Sequence, residues 1–494
     1  MVASTSDLSR DDIRAHLTAL LGADQVDTRE DMLREASVDR FKKYTAVHGI
    51  FDGPIPAAIV YAQSTHDVSM ILAFADAHRV NVVPRTGRTA TEGGLETVVD
   101  DSIVLDASRM NEILEIDETN MMVTTQCGVP LQVLEDALRE RGYTTGHSPQ
   151  SKPLAQMGGL VATRSIGQFS TLYGGIEDMV VGLEAVLPDG RVTRIKNVPR
   201  RAAGPDIRHI VIGSEGALCV VTEVTVKIFA YKPESMRFLG YLVDSLPAGV
   251  EGLRQAITAG YRPSVARAYS EEDAAQHFSH FAGGRAVVVV VTEGPDAVSQ
   301  ATADGIEEIF SAIPHTPVEP RLIRQWFDQL NWGQEKIDAE KAQMRESAHL
   351  GYTTEVSINW SGVADLFESV MRRAREEFPH AVDLTLLGAH SSHSYQTGTN
   401  LYFVYDYNIR CDPRDEITEY HEPLNAIVVE EALRLGGSMV HHHGIGKYRT
   451  RWTKEEHGTA YPLLRALKDG LDPHDIMNRG TIYPLEPVSP ASSA

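Results

Sequence analysis

The sequence predicts an α+β fold organised as two domains of ordinary size, and three observations point there. At 494 residues the chain is longer than one hydrophobic core usually organises. Its composition, 42% hydrophobic and 23% charged, is that of a folded globular protein. Short apolar runs and helical stretches follow one another without a regular strand–helix–strand rhythm. No GxGxxG turn leaves a strand to open a helix, so a nicotinamide site of that kind has little support.

The elements read in order as follows. Residues 10–35 form one or two short amphipathic helices. Ala57–Tyr61 is a strand, and Thr65–Ala77 is a helix with Val68, Ile71, Leu72 and Ala75 on one face. Asn81–Pro84 is a short strand that runs into RTGRTATEGG. Strands are expected at Ile103–Asp106, Ile113–Ile116 and Met121–Gln126. Pro130 opens a helix that reaches Arg141, with Leu131, Leu134 and Leu138 at helical spacing and Gly142 as its stop. Pro233 marks a boundary. From 235 to 440, strand-like segments such as Ala286–Thr292 alternate with helix-like ones such as Val363–Phe378, without an internal repeat. The tail EPVSPASSA, 486–494, is expected to be disordered.

Composition narrows the function. The net charge of −22 argues against nucleic acid, though a local basic cluster still suits an anionic small molecule. The apolar runs fall far short of the roughly 18 residues a membrane helix needs. The start, MVASTSDLSRDDIRAHL, is polar and acidic, so a cytoplasmic protein is expected. Cys127, Cys219 and Cys411 are too scattered for a disulfide framework or a cysteine zinc site.

Four segments carry the chemistry. Pro84, Arg85, Thr86, Gly87, Arg88, Thr89 and Ala90 leave a strand as small and polar residues, which lets consecutive backbone N–H groups form an anion-binding nest. An ordinary glycine-rich surface loop would read the same way. The second segment runs from Pro153 through Met157, Gly158, Gly159, Ala162, Thr163, Ser165 and Gly167 to Tyr173. Its glycines allow close approach to a flat ring. The third, GSEGALCVVTE, supplies Glu215, Gly216 and Val221. Each taken singly fits a turn between strands; three within one stretch favour cofactor binding. The fourth is His441-His442-His443-Gly444-Ile445-Gly446-Lys447. Histidine suits proton transfer near neutral pH. If the run is extended, His441 and His443 share one face and His442 points the other way. The glycines suggest close packing against something flat.

In this order the segments resemble the FAD-binding domain of the vanillyl-alcohol oxidase and para-cresol methylhydroxylase (PCMH) superfamily. Within it they are nearest to alkyl-dihydroxyacetonephosphate synthase and its bacterial FAD-linked oxidase relatives. The matching stretches include GYTTGHSP, MGGLVATRSIG, YGGIEDMVVGLEAVLPDG, HHHGIGK and LDPHDIMNRG. The resemblance implies an α+β, PCMH-type, two-subdomain FAD-binding domain with an inserted antiparallel-sheet cap. The expected division is a helical segment at 1–50, the FAD domain at 51–232, the cap at 233–440, and a return to the flavin site at 441–494. It implies FAD held non-covalently by the first three segments. It also implies catalytic roles for His441, His442, His443, Tyr402 and Arg267; no metal is expected, because His442 stands where related metal-binding dehydrogenases carry an acidic ligand. A small-molecule substrate, anionic in character, and a homodimer are expected. The synthase's second catalytic arginine falls near Lys341, with Arg345 close by, so its phosphate-binding equipment is altered here.

Two chemistries fit these residues. In one, the flavin takes a hydride from an alcohol, hydroxy acid or phenol while Tyr402 or a histidine handles the proton and Arg267 fixes an anionic group. In the other, the flavin forms a covalent adduct and a fatty alcohol displaces an acyl chain. A metal-assisted variant would assemble His390, His393 and His442, but the ligand spacing departs from that of related hydroxy-acid dehydrogenases. A non-catalytic flavin protein would leave the polar residues without a task.

Overall fold

The computed structural model describes residues 6–485, so the tail at 486–494 lies outside the described residues. The first sheet is built on parallel strands Ala58–Tyr61, Ile103–Asp106 and Val82–Arg85, with Ile103–Asp106 between the other two. Ile103–Asp106 is buried throughout, as expected of a strand covered on both faces. Helix Thr65–His78 packs here. Ser64 caps it by accepting from the Asp67 N–H, and Val68, Ile71, Leu72 and Ala75 are its buried face. Helix Arg10–Leu21 adds Ile13 and Leu17 to the same core behind a reciprocal Ser9–Asp12 cap.

The second sheet is antiparallel, in the order Ile113–Asp117, Met122–Gln126, Val220–Lys227, Val180–Val186, Val192–Ile195. Helix Leu131–Arg139 buries Leu131, Leu134 and Leu138, with Pro130 as its cap residue.

The third sheet has seven strands, all pairs antiparallel. They run in the order His315–Pro317, Arg237–Val243, Ala286–Thr292, Val265–Tyr269, Leu384–Ser391, Gly398–Asn408, His349–Asn359. Alternation divides the two faces. Ala266, Ala268, Val288, Leu401 and Phe403 join helices Leu246–Thr258 and Val363–Glu376 in one large core. On the other face a row of polar residues crosses four strands. Glu355 pairs with Tyr402, Tyr402 with His390, and His390 with Tyr269, two residues beyond Arg267. Directly opposed residues share a face, so register alone lines these side chains up. The expected α+β class and the antiparallel third sheet are both present.

After helix Glu422–Arg434 the chain bridges Ser438 to Ser357 at the sheet edge and returns to the first sheet. There Val82 exchanges backbone hydrogen bonds with Ile476 and Asn478. Arg449 locks this return. It is fully buried, and its guanidinium makes two 3.1 Å contacts to Glu92 and a third, also 3.1 Å, to Glu355. Removing one partner from a buried ion network strands the others without water. Arg449→Met should therefore cost about 3–5 kcal/mol in a denaturant titration. Arg372→Ala, which removes an exposed pair with Glu376, should cost about 0.5 kcal/mol or less. Equal losses from the two would contradict this account.

Candidate active site

A cavity of about 640 Å3 runs from the first two sheets to the polar face of the third. Its near end is the loop after strand Val82–Arg85. Pro84, Arg85, Thr86, Gly87, Arg88, Thr89 and Ala90 all line it. No backbone N–H from Thr86 to Thr91 donates to another described residue. Arg88 takes a left-handed φ of 55°, the kind of reversal that turns successive N–H groups inward. The Arg85 side chain, by contrast, is spent on a buried 2.7 Å pair with Asp106.

Gly158, Gly159, Ala162, Thr163 and Ser165 line the same cavity, as do Glu215, Gly216 and Val221. Gly158 and Gly159 lie on the short helix Met157–Ala162. A Cβ at Gly158 would sit 2.6 Å from Cβ of Cys127, and one at Gly159 would sit 2.9 Å from the Thr86 hydroxyl. Gly158 is thus required by packing within the protein. Pro153, Met157, Gly167 and Tyr173 do not line the cavity. Met157 belongs to the second sheet's core, a Cβ at Gly167 would meet the Ser148 backbone, and the Tyr173 hydroxyl donates to Glu293.

The far wall is the polar row of the third sheet. Arg267 is 4% exposed. Its Nη1 donates to Gln168 Oε1 at 2.7 Å and its Nη2 to His390 Nε2 at 2.9 Å. His390 uses its other nitrogen on Asp273 at 2.6 Å. Burial pushes His390 down to about 4, so the ring is neutral. Burial works against the charge of Asp273, but the facing His390 and His277 hold its carboxyl well below the usual range. The chain Asp273–His390–Arg267 therefore carries charge at its two ends only. Arg267 Nε and Gln168 Nε2 are buried and have no hydrogen-bond partner. Tyr402 stacks on His390 with ring centroids 4.8 Å apart and accepts from Thr353. Burial pushes its phenol up to about 12, so it is a proton donor and not a base near neutral pH.

The histidine run departs from the extended expectation. Residues 441–443 are a series of bends, and the three N–H groups converge on one carboxylate, that of Glu355, at 3.1, 3.3 and 2.5 Å. Such a nest curls the backbone, so side-chain alternation does not apply. His442 and His443 line the cavity, and His441 and His442 line a second cavity of about 870 Å3 beside it. The following glycines are required by close packing within the protein. Gly444, at φ 88°, lies against the Glu215 carboxylate, and Gly446, at φ 54°, lies against the Glu92 backbone.

The metal set His390, His393 and His442 is not assembled, because both nitrogens of His390 are engaged by Asp273 and Arg267. His393, His441 and His442 do bring ligand atoms within 4.8 Å of one another. The Nδ1 atoms of His441 and His442, however, are 2.8 Å apart. That is a hydrogen-bond length, shorter than the roughly 3.3 Å between two nitrogens on a tetrahedral zinc ion.

Sequence reasoning missed Gln168, Glu92, Glu355, Asp273 and Arg449, which hold the site's shape. Helix Gln334–Ser347 turns Lys336, Glu340 and Gln343 toward the cavity, but not Lys341 or Arg345. Glu340 in turn pairs with both Arg40 and Lys43, which also line the cavity, at 2.9 and 2.6 Å. No helix among the described residues is long and apolar enough to cross a membrane.

Comparison with known proteins agrees with this arrangement. Residues 56–196 match the FAD binding domain family, and residues 232–482 match the family of FAD linked oxidases, C-terminal domain. An uncharacterized FAD-linked oxidoreductase, YgcU, of Escherichia coli O157:H7 is 61% identical over 97% of this chain and 99% of its own. The alkyldihydroxyacetonephosphate synthase of Caenorhabditis elegans is 29% identical over 85% of this chain and 75% of its own. Among solved structures, a 4-ethylphenol oxidase from Gulosibacter chungangensis, 16% identical, superimposes with a TM-score of 0.77 over 98% of this chain and 99% of its own. A two-part cofactor groove closed by a polar antiparallel wall, and these matches along nearly the whole chain, place the protein in the FAD-linked oxidase family as a flavin-dependent oxidoreductase.

Proposed function

We propose that the protein oxidises an alcohol, hydroxy acid or phenolic donor that bears an anionic group, using non-covalently held FAD. The observation that carries this reading is a pair of buried, unpartnered donors, Arg267 Nε and Gln168 Nε2, on a cavity that also holds neutral histidines. A buried guanidinium with a free N–H, and no carboxylate in direct contact, is expensive unless an anion completes it.

The chain's residues fit the cofactor. The free N–H groups of 86–91 suit a diphosphate. The Thr86 hydroxyl and Gln156 Oε1 are buried, unpartnered and on the cavity. When bound, FAD would accept the two electrons as hydride. Arg267 and Gln168 orient the donor by its anionic oxygens, and Tyr402 donates a hydrogen bond to the donor's oxygen. His442 takes the donor's proton at Nε2, which has no hydrogen-bond partner among the described residues. Burial holds His442 well below its ordinary value, so it stands deprotonated and able to accept.

Thr86→Val keeps the shape but removes the orphan hydroxyl. Flavin affinity should fall about two- to ten-fold, from the loss of about 0.5–1.5 kcal/mol, while the apoprotein should be no less stable. Unchanged affinity would place the hydroxyl away from the cofactor. Acid precipitation should leave the flavin in the supernatant. Cys219, a cysteine on the cavity wall, has its thiol pushed up to about 12 by burial and stays protonated. A yellow pellet would refute the non-covalent assignment.

The deciding experiment is anaerobic titration with D-lactate, glycolate, 4-ethylphenol and a neutral alcohol, following flavin bleaching. Arg267→Ala should weaken binding of an anionic donor about ten- to hundred-fold and of a neutral one much less. Arg267→Lys should recover little, because an ammonium lacks the planar fork. Formation of an ether from acyl-dihydroxyacetone phosphate and a fatty alcohol, with no donor bleaching the flavin, would overturn the proposal.

A further inference from the structure

The proton accepted by His442 needs a way out, because burial, with His443, His441 and Arg449 nearby, keeps that ring neutral. Glu355 is committed to backbone N–H groups and Arg449, while His443, Arg449 and the neighbouring His393 offer no basic site in contact with His442 Nδ1. What Nδ1 of His442 does touch is Nδ1 of His441, at 2.8 Å. The other nitrogen of His441, Nε2, lies 2.7 Å from the hydroxyl of Tyr395. Tyr395 is 36% exposed and lines the second cavity but not the first. Three side chains thus form one unbroken line of hydrogen bonds from His442, which borders both cavities, to a half-exposed phenol in the second.

We propose that His442, His441 and Tyr395 are a proton relay that carries the donor's proton from the flavin cavity to the second cavity. This rests on the proposed role of His442 as acceptor. Only one proton occupies the Nδ1–Nδ1 contact, so the tautomers of the two neutral rings are linked. In the resting arrangement His442 carries its proton on Nδ1 and His441 carries its own on Nε2, which leaves His442 Nε2 bare toward the donor. The donor's O–H proton moves to His442 Nε2. The His442 Nδ1 proton passes to His441 Nδ1, the His441 Nε2 proton passes to the Tyr395 oxygen, and the Tyr395 hydroxyl proton passes to water. One proton enters, one leaves, and no ring stays charged. Burial depresses both rings, His441 to about 4, which disfavours any resting imidazolium. Glu355, His443 and Arg164 also act on His441, and the buried ring of His393 stacks on it at 5.1 Å. Tyr395 is absent from the residues that touch the first cavity, so it acts through His441 and not on the donor.

The test uses the FAD-loaded protein with 15N only in its histidine rings. Tyr395→Phe removes the hydroxyl and keeps the ring. It should move the His442 ring nitrogens, which Tyr395 does not touch, between pyrrole-like and pyridine-like positions, with His442→Gln assigning the signals. His442 signals that stay in place while those of His441 shift would overturn the relay. With any donor from the panel that bleaches the flavin, Tyr395→Phe should slow reduction, and added imidazole, a small proton carrier, should restore it. His442→Gln should slow reduction about 100- to 10,000-fold. No slowing in Tyr395→Phe, or slowing that imidazole does not relieve, also overturns the proposal. If no donor bleaches the flavin, the oxidoreductase reading of the site fails, and the ring-nitrogen measurement still decides the relay. One zinc ion retained per chain and lost in His441→Ala would replace the hydrogen-bonded pair by a metal site and sink the relay.

Discussion

The site depends on one buried carboxylate. Glu355 is 0% exposed, and an ionised group there survives only with its oxygens saturated. Burial opposes its charge, but Arg449 foremost, with His443 and the backbone N–H groups, holds it well below the usual range. Oε2 takes the His441 N–H and Arg449, and Oε1 takes the His442 and His443 N–H groups. Three consecutive N–H groups converge on one carboxylate only if the backbone curls around it. The curl throws the three imidazoles outward in different directions, toward the second cavity, the shared wall, and Glu92. The placement of the histidines is thus a consequence of satisfying Glu355.

A second carboxylate repeats the device. Glu215 accepts from Ile445 and Gly446, both at 2.8 Å. Burial pushes its own carboxyl up to about 7 despite those bonds. The run HHHGIGK is therefore a strap between two acids, one from the third sheet and one from the cofactor side. Its glycines are there because any side chain would strike Glu215 or the Glu92 backbone. Lys447 ends the strap by donating to Asn478 and Thr481 at 2.8 and 2.9 Å, which ties it to the returning C-terminal segment.

These facts explain what was legible in the sequence. Helix Thr65–His78 and strands Ile103–Asp106 and Ala286–Thr292 announce themselves by local period, because the core they bury is set by residues a few positions apart. The loop 84–90 and the pocket residues Arg267, Tyr402 and His442 could be proposed from motif and family resemblance. Glu355 could not. It sits in HLGYTTEVSIN, where an acidic residue among alternating strand formers reads as solvent-facing, and its guanidinium partner lies 94 positions away. Arg449, in KYRTRW, likewise reads as surface charge. Local pattern gives the period of an element but not the distant group that makes a buried charge tolerable. The extended reading of His441–His443 failed for that reason: the force bending the run belongs to another strand.

The same logic describes the cavity wall as an electrical object. Burial lowers His390 and His442 and raises Tyr402, so at neutral pH each of these is uncharged. The acids that would cancel Arg267 are kept at a remove: Asp273 lies behind the neutral ring of His390, and Glu355 is consumed by the strap. Coulomb attraction falls with distance, and in a partly dry cavity it is screened less than in water. Arg267 is then the dominant local field on that wall, although the chain as a whole carries −22. A wall of neutral acid–base groups around one guanidinium is the field that the proposed reaction needs, one that would hold an anionic donor and leave its proton to a neutral imidazole. The antiparallel register that lines up Glu355, Tyr402, His390 and Tyr269 across four strands builds that field.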